Sequence, residues 1–261
     1  MLFRTLSTTL ATLLLGATLG LTACDDDNPT TDTPTSGKLN FEFENVVGSQ
    51  SLTFGNSYTT LQGDQFTVSK FNYIISNIKL TKADGSSWAE PESYHLVKQA
   101  DMTSRNFEVS GVPFDDYTGL TFTIGVDAAR NTAGAQTGAL SPDNDMYWGW
   151  TTGYIFLKME GTSQQSPTGA YTYHVGGFQG LYNSVRTVSL PLPAGVTSLH
   201  ISATQTPQLH LKADVQKLFT GPKSFRTSQI NHIMSADSNA VRLAMNYAAG
   251  MFRLDHVHSG E

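Results

Sequence analysis

Cysteine is almost absent: the 261 residues contain one, Cys24. That excludes an intramolecular disulfide, a zinc finger and paired-thiol redox chemistry. Charge is scarce as well, at 15% of residues, with 16 Lys and Arg against 22 Asp and Glu. A mildly acidic chain offers no basic field to a phosphate backbone, so nucleic acid is excluded as a partner. One long apolar run exists, residues 10–21, and it is too short to span a bilayer. The sequence also lacks a serine-hydrolase elbow, a Walker loop, a dinucleotide fingerprint and the HExxH of helical metalloproteases.

What is present begins at the N-terminus. Residues 1–4 carry one positive charge, Arg4, and the apolar run follows as a signal-peptide h-region. It ends in Leu21-Thr22-Ala23-Cys24, which resembles a lipobox. Residues 1–23 are therefore expected to be removed as a lipoprotein signal peptide and Cys24 to be lipidated. The protein would then be exported and membrane-anchored, with the outer membrane favoured and its periplasmic or cell-surface face left open. Residues 24–37 hold the lipidated cysteine and a linker, DDDNPTTDTPTSG, with no apolar side chain to bury and hence expected to be disordered. Its acidic triplet resembles the surface-export signal of some Gram-negative lipoproteins, and it equally suits ordinary linker acidity.

From residue 38 to 261 the pattern is mostly period two. Leu39, Phe41 and Phe43 alternate with polar residues, as do Leu120, Phe122, Ile124 and Val126, then Val188, Leu190 and Leu192. Leu199/Ile201 and Leu209/Leu211 repeat the pattern, and turn signals such as Asp84-Gly85 and Pro193-Ala194-Gly195 divide the segments. Such alternation predicts half-buried strands. One helix is expected over 238–249, with Ser238 as its N-cap and Gly250 just past its end. The fold class is all-β: a single β-sandwich-like domain with one short C-terminal helix.

The main chemically useful population is seven histidines. Residues 251–258 read MFRLDHVH, and strand periodicity would align Phe252, Leu254, His256 and His258 on one face. Two imidazoles at i, i+2 can converge on one metal ion, with Asp255 or a neighbour fixing a ring tautomer. A frayed terminus with two solvated histidines is the plainer alternative. His174 lies where a strand runs into Gly176-Gly177. His200 and His210 should point away from their strands' core residues, and His95 and His232 sit in or near loops. Trp148 and Trp150 share a face in any strand register, either as core or as a ring platform. Asp143-Asn144-Asp145 offers oxygens for calcium, a weak signal. Asp115-Asp116 suits a solvated turn better than a catalytic dyad.

Taken together, several separated segments resemble the MbnP-like family, exported copper-binding proteins encoded near methanobactin systems and found more widely in bacteria. They are FTVSKFNYIISNIKL at 66–80, YTGLTFTIGVD at 117–127, the Trp-Gly-Trp and GYIFLK core within 138–161, YHVGG at 173–177, and 251–258. The resemblance implies a β-sandwich-like domain that binds copper through histidines, and carries over to His174, His256 and His258 as metal ligands. It also implies that in some members a tryptophan oxidised to kynurenine joins the site, made by a diheme peroxidase of the MauG type. Trp148 or Trp150 is the candidate for that oxidation. Neutral imidazoles suit copper, the tightest binder among divalent first-row ions. A saturated copper shell would store or deliver metal, so a binding protein is expected and not an enzyme. The rival reading is a surface recognition module, with Trp148 and Trp150 stacking on a glycan or other ligand and no metal.

Overall fold

The computed structural model describes residues 34–134, 136–149 and 152–260. The expected signal peptide, Cys24, most of the expected linker and Trp150 lie outside them. In chain order the strands of five or more residues are β1 (Ser36–Val47), β2 (Lys70–Lys82), β3 (Tyr94–Lys98), β4 (Asn106–Pro113), β5 (Asp115–Ile124), β6 (Gly153–Thr162), β7 (Ala170–Gly176), β8 (Arg186–Leu190), β9 (Gln208–Asp214) and β10 (Phe252–His258). The longest helix, α1 (Ser238–Gly250), directly precedes β10. The period-two segments are strands, as their alternation predicts.

Two sheets form a sandwich. The smaller is five-stranded: β10 pairs with β9, β9 lies parallel to β1, and β4 pairs along the first half of β1. The larger is ten-stranded and runs β8–β5–β2–β6–β7, with β3 also on β2. Leu39, Phe41, Phe43, Leu209, Leu211, Phe252 and Leu254 from the first sheet share one buried cluster with Phe71, Tyr73, Ile75, Phe122, Leu157, Tyr173 and Val175 from the second. Aromatic edges join the layers directly. Phe252 of β10 meets Tyr73 at 5.3 Å and Phe122 at 5.2 Å between centroids, both at steep angles. A smaller cluster with Ile74, Val126, Met146, Tyr154 and Phe156 lies on the opposite face of the large sheet.

The α1 helix buries Ala240, Leu243, Ala244 and Tyr247, one stripe at i, i+3, i+4 and i+7. Its start differs from the expectation by one residue. Asp237 is the N-cap, its carboxylate accepting from Asn239 N and Ala240 N at 2.8 Å, and Ser238 is already helical. Gly250 is the last helical residue, because the chain turns into β10 at Met251, whose carbonyl accepts from Asp214 N at 2.7 Å. Asp237→Ala should therefore cost about 1 kcal/mol by loss of the cap. Urea denaturation would check it, with an unchanged midpoint counting against the assignment.

Candidate metal centre

The site follows from which residues the small sheet turns outward. Along β1, Leu39, Phe41 and Phe43 are buried, so Glu42 between them and Glu44 just beyond Phe43 face out. In β9, Leu209 and Leu211 are buried, so His210 and Lys212 face out. Strict alternation in β10 would put His256 and His258 on the apolar face with Phe252 and Leu254, as the sequence pattern suggests. The structure corrects this. Leu254 pairs with Leu211 but His256 pairs with His210, so β10 carries one extra residue at this point. That is a β-bulge, which reverses the facing of everything beyond it. Val257 packs against the core instead, and His256 and His258 join His210 outside.

Asp255 already faces out next to inward Leu254, so the bulge brings His256 to its side. Among the described residues, ligand atoms of His210, Asp255 and His256 all lie within 4.8 Å of one another. His210 Nδ1 is 3.3 Å from His256 Nδ1, and Asp255 Oδ2 is 3.2 Å from the same nitrogen. On the other side of the ring, His256 Nε2 is 3.1 Å from His258 Nε2. Two imidazoles bonded to one ion at about 2.0–2.1 Å stand roughly 2.9–3.4 Å apart for bond angles between square and tetrahedral. Both nitrogen pairs fall in that range. The donor set of neutral imidazoles and a carboxylate suits copper, zinc or nickel.

Charge keeps the ligands usable. Lys212 Nζ lies 2.9 Å from Asp255 Oδ2, and this hydrogen bond lowers the Asp255 pKa to about 2, so the carboxylate is ionised whenever the imidazoles are neutral. Burial lowers the His210 pKa, favouring the neutral ring that a metal needs. Glu44 Oε2 stands 3.6 Å from His210 Nε2, the nitrogen turned away from His256. At that distance the carboxylate acts on the ring through its charge and not through a hydrogen bond.

His174 is placed elsewhere. It lies on β7 between Tyr173 and Val175, which face the shared core, so His174 points out of the other sheet. Its Nε2 is 2.7 Å from Glu160 Oε1, and burial lowers its pKa against the pull of that carboxylate. Sheets in a sandwich stand about 10 Å apart, so His174 and the His256/His258 pair, on opposite outer faces, do not share an ion. Trp148 also belongs to the large sheet's side. It is half-buried against the smaller cluster, and its ring edge would lie 2.6 Å from a Cβ at Gly176. A side chain at Gly176 has no room there.

The remaining polar candidates have local partners. Asp145 is held by Lys70 at 3.2 Å and Lys158 at 2.8 Å, and Asn144 Oδ1 accepts from Lys98 Nζ, so the DND run is neutralised by lysines and not arranged around a cation. Asp115 pairs with Lys82, and Asp116 with exposed His200. His95 sits in β3, stacked on Phe107 at 3.9 Å and paired with Glu90, and His232 forms a two-residue strand beside β7. The residue that sequence reasoning underrated is His210. Its outward facing was readable from Leu209 and Leu211, but not its cross-strand partner.

A β-sandwich with an open imidazole–carboxylate face on its smaller sheet defines the class. The chain belongs to the MbnP family, whose sequence model matches residues 36–235. The matched segment contains Trp148, Trp150, His174 and His210 and stops short of β10. Among solved structures, MbnP from Methylosinus trichosporium is similar at a TM-score of 0.51 and 14% identity, over 74% of this chain and 80% of that one. That likeness is one of fold. No curated protein sequence matches significantly.

Proposed function

We propose that this protein is an exported, lipid-anchored copper-binding protein, and that its metal seat is the face formed by His210, Asp255, His256 and His258. The observation that carries the reading is the His256 ring flanked by His210 on its Nδ1 side at 3.3 Å and by His258 on its Nε2 side at 3.1 Å, beside an ionised carboxylate. Family membership supports copper as the ion. The protein's donors are all side chains, and the role is storage or handling of the metal, not turnover of a substrate. When bound, the ion would be held by imidazole nitrogens, with Asp255 as an oxygen ligand or as the acceptor that fixes the His256 tautomer.

Copper content after dialysis tests this. Wild-type protein loaded with cupric ion should retain it, and a His210→Ala/His256→Ala/His258→Ala variant should retain little. Equal retention by both would rule out this face. The kynurenine and peroxidase partner implied by the resemblance concern Trp148 or Trp150, and each such oxidation would add about 4 Da to the intact mass. Anchoring has its own test. Cys24→Ser should abolish incorporation of a labelled fatty acid and release the protein from membranes, and a labelled variant would contradict it.

A further inference from the structure

We infer that His256 is a bridging ligand and that this face takes two cupric ions, an inference that rests on the metal-binding reading above. One imidazole presents its two nitrogens in divergent directions, so a single ion can use only one of them. In His256 both are matched. Nδ1 faces His210 Nδ1 at 3.3 Å and Asp255 Oδ2 at 3.2 Å, while Nε2 faces His258 Nε2 at 3.1 Å. A single ion on the first side would leave His258 without a role, and one on the second side would leave His210 and Asp255 without one. The His210 and His258 rings stand at 67° and 89° to the His256 ring, so neither contact is a ring stack.

One seat is thus His210 Nδ1, His256 Nδ1 and Asp255, and the other is His256 Nε2 and His258 Nε2 with water completing it. The neutral His256 ring carries one N–H proton. When both nitrogens bind metal, that proton leaves to solvent and the ring becomes an imidazolate. Asp255, Glu42 and Glu44 on the same face offset the added positive charge, against Lys212 and Arg253.

The full chain carrying Cys24→Ser, so that no thiol takes up copper, is titrated with cupric chloride and followed by native mass spectrometry and electron paramagnetic resonance. Two ions should bind, with a spin count well below two per protein, because an imidazolate couples its ions antiferromagnetically. His210→Ala and His258→Ala should each bind one ion with full spin, and His256→Ala should lose the coupling and the tight binding together. Each variant keeps a wild-type far-ultraviolet dichroism spectrum. One ion in the parent chain, or two ions with an undiminished spin count, would overturn the bridge while leaving the metal seat standing. No bound copper at all in the parent chain would overturn the seat itself.

Discussion

His256→Ala should weaken cupric ion binding by about 100-fold or more, since loss of an outer-shell partner alone costs roughly 10–100-fold and His256 touches every other ligand of the site. Its side chain is 46% exposed and packs nothing into the core, so the fold should be unchanged. Asp255→Asn should fall within the outer-shell range, because the amide cannot supply the ionised carboxylate that Lys212 maintains. His95→Ala and His232→Ala should do little, and so should His174→Ala, whose ring is committed to Glu160 on the far sheet. Competition against a chelator of known affinity gives all these values in one series. A His174→Ala loss equal to that of His256→Ala would place the seat on the wrong sheet.

Phe252→Ala should be the most damaging single core change next to the site. Phe252 is 6% exposed and touches Phe43 at 6.2 Å, Tyr73 at 5.3 Å and Phe122 at 5.2 Å, so it ties the two sheets together at the head of the histidine strand. Phenylalanine deletions in cores cost about 3–5 kcal/mol, the cavity included. In a domain of this size each kcal/mol moves the midpoint by about 2–4 °C, so Tm should fall by roughly 6–20 °C. A thermal melt in the absence of metal measures it. A fall of one or two degrees would mean that β10 is not clamped by its aromatic end, and that the histidines rest on a loose edge strand.

Much of the sandwich is legible in the sequence, because a half-buried strand writes its facing into alternate residues. Leu39/Phe41/Phe43 and Leu209/Leu211 announce both the strands and the inward face. The helix is legible for the same reason, while its cap is off by one because Asp237 and Ser238 are both good caps and only the backbone decides between them. The site is half legible. His256 and His258 stand out by spacing, but alternation cannot show a bulge, and the bulge at Asp255 decides which way they face. His210 joins them through a pairing 46 residues distant, which no local pattern encodes. His174 fails as a partner for a related reason: its strand belongs to the other sheet, and the side of a sandwich on which a residue emerges is a property of topology.

The central claim is where the metal sits, and anomalous diffraction at the copper edge from copper-loaded crystals tests it most directly. Anomalous density is expected beside the His256 ring on the outer face of the small sheet, within bonding distance of its nitrogens. Density beside His174 or Trp148 on the large sheet, with none at His256, would contradict the account.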